Sequence, residues 1–330
     1  MRKSRVVTAV LMVALIMVLA TACQNSGQPA ELKQVKVVLD WTPNTNHTGL
    51  YVAQAKEYFK AQGLDVEILL PGDAGVIQTV ASGNAEFGVS YQEELTQARV
   101  QDVPAISIAA IIQHNTSGFA SPVGKNIKSP KDFAGKTYGG WGSPVEEAVI
   151  QSVMELEGAS ADEVNFVSIG DVDFFTAVER DIDFAWAFYA WTGIEAELRN
   201  VPLNMIYVKD LSPKLDYYTP ILITSEKLAK EDPELVKAFM AAVSQGYEFA
   251  IENPEQAADI LVEAVPDLNA ELVRASQVWL ADKYQEDAAR WGEQKLEVWT
   301  GYTEWMLSKN LLEKDVDVTS AFTNEFLPSK

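Results

Sequence analysis

Strand-like and helix-like segments alternate along most of this chain, and this alternation constrains its fold more than any other feature. Residues 35–39 are a β-branched run typical of a buried strand, and the next segment has the spacing of a helix over 49–62. Further segments of the two kinds follow at 65–69, 74–82, 86–90, 92–100 and 105–113. This β-α-β-α order predicts a parallel sheet with helices on both faces.

A second series of the same kind begins after Phe133 and ends in an extended apolar run at 218–224. Its strands are predicted at 136–140, 164–168 and 182–187, and its helices at 144–157, at 171–180 and from about 190. After Lys227 the pattern is helical. Together with a first crossover near 114–122, these features predict an α/β fold of two lobes joined by a two-strand hinge.

The predicted lobe boundaries follow from the two crossovers. Residues 35–116 and 222–330 would form the first lobe with the C-terminal helices, and residues 117–221 would form the second. A chain of 330 residues is too long for one typical hydrophobic core, which agrees with this division. In open α/β sheets ligands bind beyond the carboxyl ends of the strands, so we expect the site in the cleft where two such edges face each other.

The N-terminal residues predict export. Three basic residues among the first five precede an uncharged run from 6 to 22, which is too short to span a membrane. The run ends at Cys23, the only cysteine of the sequence, where bacterial lipoprotein signals place the residue that is lipidated. We therefore predict a signal peptide at 1–22, a lipidated tether at 23–34 and an extracytoplasmic protein anchored to the cell membrane. The alternative is a secreted protein in which Cys23 remains a free thiol.

The charge and the motifs of the chain exclude several classes of function. A formal net charge of −21 repels phosphate backbones, so nucleic acid is not an expected partner. The sequence has two histidines, no paired cysteines, and neither a nucleotide-binding glycine pattern nor a zinc motif. We therefore predict no catalytic residue, no metal and no cofactor, and we expect a monomeric binding protein rather than an enzyme.

Aromatic and polar residues cluster at the predicted strand ends of the first lobe. Asp40 and Trp41 follow the first strand, Asn44 and His47 lie in the same loop, and Tyr91 follows the third strand. We predict that these five residues bind a ligand, because planar rings and short polar side chains in one cleft suit a flat polar molecule. Three of them have a structural alternative: Trp41 could cover the core, Asn44 could form the turn, and His47 could be a core or capping residue.

The second lobe repeats this arrangement. Its predicted ligand-binding residues are Trp141, Gly142, Ser143, Glu146, Glu147, Trp186 and Tyr189. The sequence from Ser143 to Glu146 also matches a helix capping box, so Glu146 is equally explained as a structural cap. The tryptophans of the C-terminal region are interpreted as packing residues; they are Trp279, Trp291, Trp299 and Trp305.

The charge of these strand-end loops discriminates between ligands. Loops 40–47, 90–91, 138–147 and 186–191 contain no lysine or arginine, the side chains with which proteins commonly bind anions. They do contain carboxylates, which would accept hydrogen bonds from an exocyclic amine or a protonated ring nitrogen. The pattern therefore favours an amino-heterocycle over an anion.

The chain resembles the thiamine-pyrimidine branch of a family that unites bacterial transporter binding proteins with fungal hydroxymethylpyrimidine synthase. The resemblance runs from about Val35 to the C-terminus and is carried by LDWTPNTNHTGLYVAQAKEYFKAQGLDVEI, GGWGSPVEEA and TNEFLP. It implies a bilobed periplasmic-binding-protein-like fold of type II. It also implies delivery of formylaminopyrimidine or hydroxymethylpyrimidine to the permease and ATPase of an ABC importer, for thiamine salvage. Riboflavin and sulfonate binders are related, so these solutes are the alternatives.

The resemblance to the fungal synthase fails at two positions. The family's Asx-Trp pair and loop histidine match Asp40-Trp41 and His47. The synthase's cofactor-linking lysine and sacrificial histidine correspond instead to Ser90 and Glu94, and no cysteine-rich stretch follows Cys23. The resemblance therefore implies a transport protein rather than the enzyme.

Overall fold

Two five-stranded sheets form the framework of the computed structural model, which describes residues 31–170 and 172–329. The strands of the first sheet are β1 (Lys33–Val38), β2 (Leu64–Leu69), β3 (Phe87–Ser90), β4 (Ala105–Ala110) and β10 (Ile221–Ser225), in the order β2-β1-β3-β10-β4. The strands of the second sheet are β5 (Ser117–Pro122), β6 (Thr137–Gly140), β7 (Asn165–Ser168), β8 (Phe184–Phe188) and β9 (Leu203–Tyr207), in the order β7-β6-β8-β5-β9. The predicted bilobed α/β fold is confirmed.

Thirteen α-helices surround the sheets within the described residues. They are α1 (Thr48–Ala55), α2 (Tyr58–Ala61), α3 (Val76–Ala81), α4 (Gln92–Val100), α5 (Pro144–Leu156), α6 (Phe174–Arg180), α7 (Ile194–Leu198), α8 (Val208–Leu211), α9 (Glu226–Glu231), α10 (Pro233–Glu252), α11 (Pro254–Ala264), α12 (Ala270–Leu280) and α13 (Leu296–Ser308). None of the helices in the described ranges is both long enough and apolar enough to cross a membrane. The predicted signal peptide and Cys23 lie outside those ranges.

Two helix predictions need correction. The helix predicted over 49–62 is divided into α1 and α2, because Glu57 between them has a left-handed φ of 59° that no helix accommodates. The helical pattern predicted for the whole C-terminal region is wrong between α12 and α13, where residues 281–295 form turns and loops. It is wrong again after α13, where residues 309–329 form loops and one 3-10 turn, Val318–Ser320.

The prediction of parallel sheets is wrong for the strands that follow a crossover. β1 and β3 are parallel, but β10 is antiparallel to β3 and β4, and β5 is antiparallel to β8 and β9. Ile221, the first residue of β10, pairs with Ser90, the last residue of β3, and Ser117 pairs with Phe188 in the same way. Each strand therefore enters its sheet at the carboxyl end of its neighbour, and it must run in the opposite direction.

Each sheet has its own apolar core. Against the first sheet, Phe87 stacks on Phe239 of α10 with ring centroids 3.7 Å apart. In the second, Phe119 contacts Phe133, Phe184 and Trp186. Helix α13 contributes to both sides. Its Trp299 belongs to a cluster with Val38 and Ile221, and its Tyr302 and Trp305 belong to the cluster around Phe119 and Tyr138.

The chain passes between the sheets at residues 111–116 and 208–220, and a histidine links these two passages. Nδ1 of His114 lies 2.6 Å from Oδ2 of Asp216, and its Nε2 lies 3.1 Å from Oδ1 of Asp287, in the segment before α13. The hydrogen bond to Asp216 is the main reason that the pKa of His114 is raised to about 9. With a carboxylate at each ring nitrogen, the imidazolium ties three segments together. The exact lobe boundaries remain a prediction.

Candidate functional site

The first rim is the set of residues Asp40, Trp41, Asn44, His47 and Tyr91, which follow β1 and β3. The Asp40 carboxylate lies at its centre. It accepts a hydrogen bond from Nε2 of His47 at 2.6 Å and another from the hydroxyl of Tyr91 at 2.7 Å. Nδ1 of His47 accepts from the backbone N–H of Asn44 at 3.2 Å, which leaves Nε2 as the donor to Asp40.

Asp40 is held ionised although its side chain is only 5 % exposed. Burial by itself raises the pKa of this carboxyl, but the interaction with His47 and the hydrogen bonds from His47 and Tyr91 outweigh burial, so the pKa lies below its ordinary value. Burial and the nearby Asp40 charge raise the pKa of Tyr91, which keeps its hydroxyl proton. The first rim therefore presents a fixed negative charge beside aromatic rings.

Asn44 and Trp41 have different environments in this rim. Asn44 is buried, and its side chain accepts from the N–H of Asn46 at 2.9 Å and donates to the carbonyl of Thr42 at 3.0 Å. It therefore caps the short 3-10 turn Thr45–His47, the role of a turn former, and ligand contact by Asn44 remains a prediction. Trp41 does not cover the core, because 54 % of its surface is exposed.

A cavity of about 330 Å³ opens beside the first rim. Asp40 and Tyr91 line it, together with Gly75 at the start of α3 and with Glu94 and Gln97 of α4. Its volume is at the lower end of the range for small-molecule sites, and no basic side chain lies in the described lining. Glu94, Gln97 and the loop at 71–75 were not predicted as site residues, although ligands bind beyond strand ends and that loop follows β2.

The second rim is the loop from Trp141 to Glu147 at the carboxyl end of β6, and its centre is the carboxylate of Glu146. Oε2 of Glu146 accepts the backbone N–H groups of Trp141, Gly142 and Ser143 at 3.0, 3.0 and 2.9 Å. Oε1 accepts the hydroxyl of Tyr138 at 2.5 Å. Gly142 has a φ of +86°, which allows the loop to point three successive N–H groups at one oxygen.

These contacts make Glu146 a structural cap at the start of α5. Three convergent N–H groups at a helix N-terminus would otherwise suit an external anion, and the Glu146 carboxylate, only 5 % exposed, already fills that position. Glu147 is exposed, and 56 % of the surface of Trp141 is exposed. Contact of Trp141, Gly142, Ser143, Glu146 or Glu147 with a ligand remains a prediction.

Trp186 and Tyr189 are both partly buried, and they make different contacts. Trp186 is partly buried, and its ring packs edge-on against Phe119 at 5.2 Å. Tyr189 begins a π-helical turn, Tyr189–Gly193, and its ring lies 5.1 Å from that of Trp279 in α12. The Tyr189 hydroxyl donates to Glu197, and its pKa is raised to about 12, mainly by burial.

The structure thus brings the predicted residues together in two groups rather than one. Asp40, His47 and Tyr91 are joined by hydrogen bonds, and Trp141, Gly142, Ser143 and Glu146 form a separate network. Tyr189 has its contacts outside both groups, so its role at the ligand is a prediction that these contacts do not favour. In the described part of the chain, no group of three or more acidic, histidine or cysteine side chains could hold a metal ion.

A family model described as NMT1/THI5 like matches residues 44–257, which is more than half of the chain. The chain belongs to the NMT1/THI5-like family. This NMT1/THI5-like protein is 28 % identical to the formylaminopyrimidine-binding protein of Halalkalibacterium halodurans, over 95 % of this chain and 97 % of the relative. It is 26 % identical to the riboflavin-binding protein RibY of Chloroflexus aurantiacus, over 99 % of both chains.

Enzymes and solved structures are also similar to this NMT1/THI5-like protein. The 4-amino-5-hydroxymethyl-2-methylpyrimidine phosphate synthase of Legionella pneumophila is 24 % identical over 89 % of this chain and 92 % of the enzyme. The alkanesulfonate-binding protein SsuA of Xanthomonas axonopodis superposes with a TM-score of 0.68 at 13 % identity, covering 90 % of this chain and 99 % of SsuA. A Candida albicans protein with the generic periplasmic binding protein fold gives a TM-score of 0.62 at 16 % identity, covering 91 % and 99 %. These superpositions establish the periplasmic binding protein fold.

Proposed function

We propose that this chain is the extracytoplasmic substrate-binding protein of an ABC importer and that it captures a thiamine-precursor aminopyrimidine. Formylaminopyrimidine and hydroxymethylpyrimidine are the two candidate ligands. The observation that carries the proposal is the ionised Asp40 in the first rim, next to Trp41 and Tyr91 and without a basic side chain in the adjoining cavity. A flat ring that carries an amino group matches both features, since the aromatic rings stack on it and the carboxylate accepts its N–H groups.

The second rim supports the same class of ligand. The N–H groups at the start of α5 already donate to the Glu146 carboxylate. They are therefore not available to bind an external sulfonate or phosphate. Trp141 is exposed beside this cap, so its ring is free to cover the face of a ligand held by the first rim. The proposed sequence is capture on the first rim, closure of the lobes and docking of the closed form on the permease.

A competition experiment tests this function. Thermal shifts and titration calorimetry would compare formylaminopyrimidine, hydroxymethylpyrimidine, riboflavin and an alkanesulfonate on the purified protein. We expect one of the pyrimidines to bind most tightly and to raise the melting temperature most. Mass spectrometry of any solute that co-purifies gives an independent identification. Preferential binding of the sulfonate would contradict both the charge argument and the proposal.

Riboflavin is the second candidate, because the riboflavin-binding relative matches this chain over 99 % of its length. Its isoalloxazine ring is also flat and carries an N–H group that a carboxylate accepts. It is larger than a pyrimidine, however, and the cavity beside the first rim has a volume of only about 330 Å³. The competition therefore ranks riboflavin directly against the two pyrimidines.

We further propose that the chain is not a pyrimidine synthase. At the positions that match the synthase's lysine and histidine, Ser90 donates a hydrogen bond to Glu94 at 2.9 Å. Neither side chain has an amine that could form an imine with an aldehyde cofactor. Incubation with pyridoxal phosphate should give no new absorbance band and no pyrimidine product. A band that persists after dialysis would support an enzyme instead.

The proposed lipid anchor at Cys23 requires a separate test. Cells that express the full chain would be labelled with a palmitate analogue and fractionated, beside cells that express Cys23→Ser. We expect label and membrane association for the wild type and neither for the variant. An unlabelled wild type released into the medium would show that the protein is secreted without an anchor.

A further inference from the structure

Helix α4 presents different residues to the two lobes. Tyr91, just before the helix, and Glu94 and Gln97 line the cavity of the first rim. Val100 belongs instead to the apolar cluster around the second sheet. Glu93 is seven residues before Val100, which is two helical turns, so it lies on the side of α4 that faces the second lobe. It thus occupies the boundary between the two lobes, two residues after Tyr91.

The neighbours of Glu93 agree with this position. Its charge interacts with Glu146 of the second rim. It also interacts with Tyr217, on the second passage between the sheets, and with Tyr302 of α13, whose rings stack 4.1 Å apart. Glu93 is therefore surrounded by groups from both lobes and from α13. The other charged group near it on its own helix is Glu94.

The Glu93 carboxylate has no partner of its own. Within the described residues it takes part in no hydrogen bond and no ion pair, although it is partly buried. The buried acids of the two rims differ in this respect: Asp40 accepts from His47 and Tyr91, and Glu146 accepts four donors. Burial, and then the negative charges of Glu94 and Glu146, raise the pKa of Glu93 to about 7.

A partly buried carboxylate without a donor is costly, and proteins normally pair such groups. Here the unfilled acceptor lies on the side of α4 that faces the second lobe, and its charge interacts with that of Glu146 in the second rim. We infer that Glu93 is a specificity-determining residue that accepts one N–H of the ligand's amino group, while Asp40 accepts the other. This inference rests on the proposed function and adds a second acceptor for the amine to it.

Calorimetry can measure the proton that Glu93 should release when the ligand binds. Near pH 7 part of the unliganded protein carries Glu93 as a carboxylic acid. A ligand N–H group stabilises the carboxylate, so binding releases the carboxyl proton to the buffer. The groups that face Glu93 are Glu94 on α4, Glu146 on α5, Tyr217 on the second passage and Tyr302 on α13; the two tyrosines remain protonated there, because burial raises the pKa of both.

The test compares Glu93→Gln with the matched control Glu255→Gln. Glu255 is also the second residue of its helix, but it is exposed on α11, away from both rims. Formylaminopyrimidine and hydroxymethylpyrimidine would be titrated into each protein near pH 7, in two buffers with different ionisation enthalpies. For Glu93→Gln we expect affinity to fall about ten-fold or more, because a charge-assisted hydrogen bond is lost. The buffer dependence of the heat should disappear in the same variant and persist in Glu255→Gln.

The outcomes separate this inference from the proposed function. If the wild type binds a pyrimidine and Glu93→Gln binds it equally well, with the same proton release, Glu93 does not read the amine and the function stands. If the wild type binds riboflavin instead, the proposed ligand is wrong, and the same comparison with riboflavin decides the role of Glu93. Binding of the alkanesulfonate alone, or of none of the four solutes, would overturn both.

Discussion

The two rims of this NMT1/THI5-like protein contain the same kinds of residue, but different contacts hold their carboxylates. Each has an exposed indole, Trp41 or Trp141, next to a buried carboxylate, Asp40 or Glu146. Asp40 is held by side chains, one of which is 51 residues away in the sequence. Glu146 is held by backbone N–H groups three to five residues away and by one tyrosine. The charge of the first rim therefore depends on the tertiary fold, whereas that of the second rim is built into a local helix cap.

The largest effect should come from removing the local cap. In Glu146→Ala, three N–H groups and the Tyr138 hydroxyl lose their acceptor, and we expect the free energy of unfolding to fall by about 3 kcal/mol. Chemical denaturation measures the change. The neighbouring Glu147→Ala removes an exposed carboxylate and should stay within about 0.5 kcal/mol of the wild type. Equal free energies of unfolding for the two variants would show that Glu146 does not stabilise the start of α5.

The same variant also tests the charge of the second rim. With Glu146 absent, the N–H groups at the start of α5 become available to an external anion. Millimolar sulfate should then raise the melting temperature of Glu146→Ala more than that of the wild type. An identical sulfate response would show that the carboxylate does not exclude anions.

The next effect concerns the two indoles. Their removal should weaken ligand binding without destabilising the fold. Trp41→Ala and Trp141→Ala should each cost about 2 kcal/mol of binding free energy by calorimetry, because a large aromatic anchor is lost. Both residues are more than half exposed in the structure, so the melting temperatures should hardly change. Leu156→Ala, at another exposed apolar residue, is the control. If only one of the two substitutions weakens binding, only that rim contributes an indole to the ligand site.

A smaller effect is expected when one donor of the first rim is removed. Tyr91→Phe deletes the hydroxyl that donates to the ionised Asp40, and we expect a loss of about 1.5 kcal/mol in the free energy of unfolding. Tyr58→Phe removes a hydroxyl that makes no hydrogen bond within the described residues, so it should be nearly neutral. Comparable losses in both variants would mean that the Tyr91–Asp40 contact contributes nothing specific.

The smallest effect is expected at His114, which links the two passages between the sheets. Its pKa is raised to about 9 in the folded protein from an ordinary value of 6.5, mainly by the hydrogen bond to Asp216. This contribution to stability is present below about pH 6.5 and disappears as the pH rises through 9. Because the side chain is partly exposed, we expect about 1 kcal/mol after allowing for solvent screening. His114→Gln should lack this loss between pH 6.5 and 9 in denaturation curves. If His114→Gln and the wild type lose the same stability between pH 6.5 and 9, the His114–Asp216 contact does not contribute to it.

Local sequence patterns predicted the secondary structure and the helix cap, because both depend mainly on residues that are close in sequence. The strand and helix periodicities indicated most elements of both sheets, and the capping box from Ser143 to Glu146 indicated the contacts of the second rim. The directions of β5 and β10 were missed, because both depend on where a strand enters its sheet and not on its own residues. The β9 strand also lacked a predicted counterpart.

The parts of the candidate site that depend on distant contacts were only partly predictable. Asp40, His47 and Tyr91 were selected individually as strand-end residues, but their shared hydrogen bonds join segments that no local pattern relates. Glu93 was missed because an acidic residue in the first turn of a helix is ordinary in sequence. Only its surroundings, with acids and tyrosines from three other elements, make it unusual.

The two passages between the sheets restrict how the rims can approach each other. A body attached through one flexible connection can swing in any direction, whereas a body attached at residues 111–116 and again at 208–220 turns mainly about the line between those attachments. The contacts of His114 and of the Asn115 backbone N–H with Asp216 keep the two attachments together. Trp41 and Trp141 should therefore meet along one reproducible arc, so the spacing between the closed indoles is a property of the hinge rather than of the ligand.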